Sequence, residues 1–228
     1  MTDDALCLKV YKENRHHLSS FAESVRNFFA HHPELNRDGA PVLHSIRMRL
    51  KSESSLADKL ARKREDAEPI QPDELLKRVN DLAGIRLLHL YQAQFPLIHD
   101  VIDSQVKRGD WAMHESPIAY TWDPESRVFF EGFGLQTKVK ESFYTSIHYV
   151  LKPRTDSPIC CELQVRTLFE EIWGEIDHQI NYPHPVDDTS CREQLRVLSR
   201  LVGAGTRLAD SIFRAHTVCS NRSAGKVS

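Results

Sequence analysis

The chain of 228 residues has no run of about 18 apolar residues, so no segment reads as a membrane-spanning helix. Its opening, Met1-Thr2-Asp3-Asp4, lacks the basic-then-apolar order of a signal peptide, and a soluble, cytoplasmic protein with no membrane contact is expected. Charge of one sign is lacking too. Thirty Lys and Arg against 32 Asp and Glu give a formal charge of −2, which excludes charge-driven binding to nucleic acid in general but leaves a local basic patch open. The five cysteines are odd in number, scattered and never spaced Cys-x-x-Cys, so reduced thiols and no zinc site are expected. His16-His17 and His31-His32 are adjacent rather than four apart, which suits a solvated helix or loop better than a metal. No internal repeat or low-complexity segment occurs.

With 40% apolar and 27% charged positions the chain can bury one substantial core, and one domain with a helical extension is expected. Cys160 to Thr167 alternates as a strand does, setting Glu162, Gln164 and Arg166 on one side and Cys161, Leu163 and Val165 on the other. The apolar side belongs in a core. The polar row is either a solvated outer face or a ligand-bearing one, and it suits a metal-bound polyphosphate. Leu168 to Ile180 follows as a helix with a stripe of Leu168, Phe169, Ile172, Trp173 and Ile176, while Glu170 and Glu171 are expected on its solvated face.

Residues about 5 to 31 place Leu8, Tyr11, Leu18, Phe21, Val25, Phe28 and Phe29 at helical spacing. Val42 to Leu50 reads as a strand with Arg47, Arg49 and Lys51 on one parity, and Ser52 to Arg64 as a capped helix on which Ser55 and Lys59 share a face. Cations delivered to a helix N-terminus make either an anion site or a solvated basic face. Glu74 to Asn80 reads as a short helix. Asp81 to Tyr91 reads as a central strand buried on both faces, with Asp81 at its mouth and Arg86 inside it, each needing a partner. Gln94 to Arg108 is helical, and its His99-Asp100 pair is given no role. Trp111 to Trp122 is irregular with a short edge strand, Arg127 to Gln136 reads as a strand entering a loop, and Thr137 to Phe143 as a basic, mobile segment. Tyr144 to Leu151 returns as a strand with Tyr144, Ser146 and His148 on one face, groups able to stack on a nucleobase or bond a phosphate. Asn181 to Pro185 breaks the chain, and Cys191 to Val218 forms a helix with Leu195, Leu198, Leu201, Val202, Leu208, Ile212 and Phe213 apolar. The expected architecture is α+β: a mixed, mostly antiparallel, five-stranded sheet flanked by helices. It comprises a helical segment at 1–40, the sheet domain at 41–185, a helix at 186–220 and a disordered tail at 221–228.

Asp81 and Glu162 come from separate strands of one sheet and can share a magnesium ion, which takes oxygen ligands and keeps company with phosphates. Cations around them would neutralise a transferred phosphoryl group. This is the anatomy of a nucleotide-dependent transferase.

Four motifs in order over about residues 45 to 182 resemble the synthetase domain of the RelA/SpoT family, which moves pyrophosphate from ATP to the 3′-hydroxyl of GDP or GTP to make the alarmone (p)ppGpp of the stringent response. They are Arg49-x-Lys51-x-x-x-Ser55-x-x-x-Lys59, Asp81-x-x-Gly84-Ile85-Arg86, Tyr144-x-Ser146-Ile147-His148 and Glu162-Leu163-Gln164-Val165-Arg166-Thr167. The resemblance implies a nucleotidyltransferase-like core, with Arg49 and Arg86 sandwiching adenine and Lys51, Ser55 and Lys59 on the ATP phosphates. It implies Mg2+ on Asp81 and Glu162, with Glu162 also taking the proton of the 3′-hydroxyl. Tyr144 would stack on the acceptor base, and Lys140, His148, Gln164 and Arg166 would hold acceptor phosphates or order the site. The length leaves no room for the hydrolase and regulatory domains of long members, so a stand-alone small synthetase is implied, of a kind that forms homo-oligomers through terminal helices.

The sequence departs from the family's Asn-Gly before the stacking tyrosine, having Ser142-Phe143. Phenylalanine resists the backbone angles glycine permits, so the loop is expected to take another path. Two other readings stay open. One is a toxin-like relative that pyrophosphorylates the 3′ end of tRNA, permitted by that step and by the basic Arg62-Lys63-Arg64, with an antitoxin as partner. The other is a non-catalytic nucleotide- or RNA-sensing module, against which the retention of both Asp81 and Glu162 speaks.

Overall fold

A seven-stranded sheet organises the computed structural model, which describes residues 3–140, 142–181 and 186–224. The strands β1 (Leu43–Leu50), β2 (Ala83–His89), β3 (Ala112–Met113), β4 (Ile118–Tyr120), β5 (Gln136–Lys138), β6 (Ser146–Lys152) and β7 (Cys161–Thr167) lie in the order β1-β2-β7-β6-β4-β5, and β3 pairs with β6. Pairing is parallel at β2–β7 and β4–β5 and antiparallel elsewhere. The expected mixed, mostly antiparallel α+β architecture is present, but with seven strands rather than five. The two-residue β3 and three-residue β5 are too short to leave a periodic signal. The segment 111–122 thus supplies two strands, and β4 lies inside the sheet between β6 and β5 rather than at an edge.

One face of the sheet is core. Ile85, Leu87, Ile147, Tyr149, Leu151, Cys161, Leu163 and Val165 are buried there together with residues of α1 (Asp3–His31) and α4 (Phe95–Arg108). Helix α1 buries Cys7, Tyr11, Leu18, Phe21, Ala22, Val25 and Phe29, spaced to fall on one side of a helix. Its Tyr11 hydroxyl donates to the carbonyl of Lys51, which ties the first helix to the junction of β1 with α2 (Glu53–Glu65). Beyond α2 comes α3 (Leu75–Arg78), shorter than the helix expected over 74–80. His99, given no role from sequence, is 2.8 Å from the hydroxyl of the buried Tyr149 and provides that hydroxyl's partner.

Residues expected to form a strand after Arg127 form α5 (Pro124–Glu131). Pro124 presets φ in its first turn. Phe129, Phe130 and Phe133 recur at helical spacing and surround Phe95 with ring centroids 6.3, 5.3 and 5.8 Å away, so packing overrides the glycines that suggested a broken strand.

The opposite face carries α6 (Leu168–Asn181), with α7 (Thr189–Ala224) packed on it. Trp173 is buried and its indole N–H donates to Leu195 O at 3.0 Å. The orientation of α6 differs from expectation: Ile172 is 53% exposed and Glu171 only 4%. The reason is electrostatic, since the sheet face under α6 presents arginines that a buried acid neutralises. Helix α7 reaches Ala224, into the segment expected as a tail; residues 225–228 and 182–185, where the remainder of that tail and most of the expected chain break fall, lie outside the described residues. No described helix is long and apolar enough to cross a membrane.

Strand β2 ends in His89, buried, with Nδ1 3.0 Å from Tyr91 O and Nε2 without a partner among the described residues. Burial pushes this imidazole down to about 4, only partly opposed by the Tyr91 carbonyl. The folded state therefore takes up this proton later than the unfolded chain, whose histidine titrates near ~6.5. The corresponding stability is full above that value and is lost as pH falls from there towards 4, up to about 3 kcal/mol. Urea midpoints measured across this window should fall steeply for the native chain and more shallowly for His89→Leu; equal slopes would remove His89 as the cause.

Candidate active site

The antiparallel β1–β2 and parallel β2–β7 registers align Arg47, Arg86, Gln164 and His148 across four neighbouring strands. A second row aligns Arg49, Gly84 and Glu162. Gly84 has no side chain, and the Arg49 stem lies 3.9 Å from where a Cβ would stand, so the strand surface there becomes the floor of a cleft. That cleft, about 280 Å³, is lined by Arg47, Arg49, Asp81, Gly84, Arg86, Glu162, Gln164, Glu175 and His178 among others. A second, about 240 Å³, is lined by Lys59, Arg78, Asn80, Asp81, Glu115, Ile118, Tyr120, His148 and Glu162. Asp81 and Glu162 belong to both. The two carboxylates form the partition between two concavities.

Each carboxylate is held differently. Lys51 N–H donates to Leu82 O at 2.9 Å, prolonging the β1–β2 ladder so that Lys51 stands beside Asp81. The Lys51 and Lys59 ammonium groups donate to separate oxygens of Asp81, at 2.7 and 2.8 Å. Burial pushes Asp81 up, but Lys59 and Lys51 outweigh it and hold the carboxyl at about 2. Glu162 accepts from His148 Nδ1 at 2.9 Å and from Gln164 Nε2 at 2.7 Å. Burial and the charge of Asp81 raise it, the His148 and Gln164 hydrogen bonds lower it, and the net direction is down. An ionised carboxylate only accepts, so Nδ1 of His148 carries the proton. Nε2 of His148 is 2.9 Å from the Tyr144 hydroxyl, which accepts from Arg166 at 3.0 Å. Arg166 also donates to Gln164 Oε1. A continuous hydrogen-bonded circuit thus runs from Arg166 to Glu162.

Behind this circuit lies an anionic anchor. Glu171, buried, is 3.2 Å from Arg166 and accepts from Arg86 at 3.0 Å and Arg47 at 3.2 Å. Arg86 also donates to Glu175. These acids raise the Arg86 guanidinium against the effect of burial, fixing its charge. A guanidinium donates in its own plane, so bonds of this kind are compatible with a ring stacked on its face.

The site therefore gathers Arg49, Asp81, Arg86, Glu162 and Gln164 at the first cleft and Lys59, Asp81, His148 and Glu162 at the second. Lys51 reaches it through Asp81. Tyr144 and Arg166 stand behind His148 and Gln164 rather than in the lining. Lys140 lies with its ammonium 4.2 Å from the Tyr120 ring centroid and 4.6 Å from that of Tyr144, and loss of water there lowers its pKa. Ser55 is engaged within the helix cap, its N–H and hydroxyl both bonded to Ser52 Oγ rather than to either carboxylate. Glu171, expected in solvent, is instead the buried centre of the arginine cluster. Arg47, Glu175 and Tyr120 were not singled out as site residues from sequence. Arg47 had a signal, since it shares parity with Arg49 and Lys51, and Glu171 and Glu175 had another, an i,i+4 pair on one helix face.

The model of the region found in RelA/SpoT proteins matches residues 48–187. The chain belongs to the RelA/SpoT family. That match spans both carboxylates and every residue from Arg49 to Arg166 named above, whereas α1 and α7 lie outside it. No curated protein matches the RelA/SpoT chain by sequence. Among solved structures it is similar to small alarmone synthetase 1 from Bacillus subtilis bound to its product pppGpp, at 18% identity and TM-score 0.61, over 89% of this chain and 92% of that one. It is also similar to a GTP pyrophosphokinase family protein from Streptococcus pneumoniae, at 20% identity and TM-score 0.62, over 90% of each chain. Small alarmone synthetase 2 from Bacillus subtilis matches at 17% identity and TM-score 0.55, over 92% of this chain and 96% of that one.

Proposed function

We propose that this chain is an ATP:nucleotide 3′-pyrophosphotransferase of the cytoplasm that moves the β,γ-pyrophosphate of ATP to the 3′-hydroxyl of GDP or GTP, making (p)ppGpp. The observation that carries the reading is the partition: two acids, Asp81 and Glu162, shared by two adjacent clefts, with cations on both sides. One cleft has Arg49 and the edge-held Arg86 for the adenine. The other has Tyr120 and His148, backed by Tyr144, for the acceptor. An in-line transfer needs two substrates meeting end to end at a charge-neutralising wall.

Two carboxylates and, among the described residues, no third metal-binding side chain clustered with them fit Mg2+, which is held by one or two carboxylates plus substrate phosphates rather than by a full protein cage. Bound there, Mg2+ would supply charge neutralisation on the transferred group. The lysines that neutralise Asp81 in this structure, Lys51 and Lys59, turn to the triphosphate when ATP enters, and Ser55 on the first turn of α2 adds a hydroxyl. Glu162 would take the 3′-hydroxyl proton, a role supported by the two donors, His148 and Gln164, that hold its carboxylate. Tyr144, behind His148 in this structure, would stack on the acceptor base once Lys140 leaves its ring. Gln164 and Arg166 are committed to Glu162 and Tyr144, so their part is to order the site; Lys140, over the Tyr120 and Tyr144 rings in this structure, would turn to the acceptor phosphates.

Incubation of the purified protein with γ-labelled ATP, Mg2+ and GDP, GTP, AMP or tRNA tests this reading. Label on GDP or GTP is expected; label on tRNA alone would give the chain a toxin-like activity, and label on no acceptor would make it a binding module. The basic cluster that left tRNA open is partly neutralised, since Lys63 pairs with Glu68 at 2.7 Å and Arg64 with Asp4. We propose also that α7 joins copies of the chain: Val197, Leu201, Leu208 and Ile212 form an exposed stripe at helical spacing, 54–64% accessible. Sedimentation should show an oligomer that the pair of changes Leu201→Glu and Leu208→Glu dissociates; a native monomer would refute this.

A further inference from the structure

Among the described residues only Ala67 and Phe143 are non-glycines with positive φ. Ala67, at 58°, follows the end of α2, where left-handed residues are ordinary helix terminators. Phe143, at 61°, follows no helix, and a bulky side chain in that region is strained. The loop was expected to avoid this conformation; instead phenylalanine adopts the one that glycine would favour. Strain persists where surrounding contacts over-determine it. Here those contacts belong to the ring, whose centroid is 5.3 Å from that of Trp122 and 5.5 Å from the guanidinium carbon of Arg196 on α7. The same short loop is held at its other end, where Phe143 N–H donates to Lys140 O at 3.1 Å and the Lys140 ammonium sits between the Tyr120 and Tyr144 rings.

We infer that Phe143 is a positioning residue, its ring anchored on Trp122 and Arg196 so that the neighbouring Tyr144 is presented to a purine nucleotide acceptor. This rests on the transferase reading for the identity of the acceptor cleft. The Tyr144 hydroxyl is fixed by His148 and Arg166 and its ring lies near Lys140, Arg166 and Trp173, which leaves the backbone on the Phe143 side as the second constraint on how the ring sits among them. Phe143 supplies that second constraint. A glycine at this position would keep the φ and lose the anchor, so ring and backbone contributions separate in one substitution.

The test is calorimetric titration of the full chain with GDP, and separately with a non-hydrolysable ATP analogue, for the native protein, Phe143→Gly, Phe143→Tyr and Arg196→Ala. Phe143→Gly is expected to weaken GDP binding about tenfold, the size that an aromatic pair and a cation over a ring together supply, while the ATP analogue changes less than about twofold. Phe143→Tyr keeps the ring and should bind GDP as the native protein does. Arg196→Ala should weaken GDP by about two- to fourfold. Thermal melting of Phe143→Gly controls for folding, and little change is expected because the backbone strain is relieved. Unchanged GDP binding in Phe143→Gly, equal losses for both nucleotides, or no GDP binding by the native chain would each overturn the inference. Native binding of GDP without label transfer would overturn only the transferase reading.

Discussion

Glu162→Gln is expected to lower pyrophosphate transfer by about 10³-fold or more while leaving the fold intact. The amide has the carboxylate's shape, so the strand register on both sides of β7 is untouched. What is lost is the proton acceptor and one of the two negative charges on the partition. The hydrogen bonds report this loss directly. His148 Nδ1 and Gln164 Nε2 both donate to Glu162, and an amide in its place can accept with one end only, so one donor must turn away. Steady-state assay with GDP varied at saturating ATP checks the result; turnover within tenfold of native would remove Glu162 from the chemistry. A KM for ATP that rises together with the fall in turnover would mark the metal-binding share of the role.

The second large effect belongs to stability. Glu171→Ala should destabilise the protein by about 3–5 kcal/mol, because removal of one partner from a buried ion pair leaves the other charge uncompensated. The Arg166 side chain is 3% exposed and Glu171 5%, so water cannot replace the lost carboxylate. Arg47 can turn outward, being 60% exposed, whereas Arg86 at 21% retains Glu175. Arg166 Nε and Glu171 Oε2 make no hydrogen bond among the described residues, so Coulomb attraction more than hydrogen-bond geometry carries the contact between them. Urea unfolding measures the difference. A change below about 1 kcal/mol would place the pair among surface-like ion pairs and refute its role as an anchor.

Much of the site was legible because strand alternation and helical spacing are local rules. Glu162, Gln164 and Arg166 had to share one face of β7, and Ser55 and Lys59 one face of α2. Asp81 was legible as an acid at the mouth of a buried strand that demands a partner, and Lys51 and Lys59 are those partners. The rotation of α6 was not legible. Its apolar residues alone would bury Ile172 and Ile176, but arginines from three strands compete for that face and draw Glu171 inward. No local pattern reports what a neighbouring strand presents. The same applies to α5, whose phenylalanines form a helical face because Phe95 stands opposite them, and to Phe143, whose backbone angle is set by a tryptophan and an arginine from other elements.

The sheet order bears on how the molecule comes into being. β7 is the last strand of the chain, yet it lies in the middle, between β2 and β6. A nascent polypeptide that has emerged only as far as β6 can pair β1 with β2 and β6 with β4, giving two half-sheets with Asp81 beside one and Glu162 not yet present. Insertion of β7 welds the halves through a parallel, long-range pairing of the kind that forms slowly. Under this order of assembly, an incomplete chain holds lysines against Asp81 and lacks Glu162, so the transfer proposed above must wait until synthesis has passed the final strand.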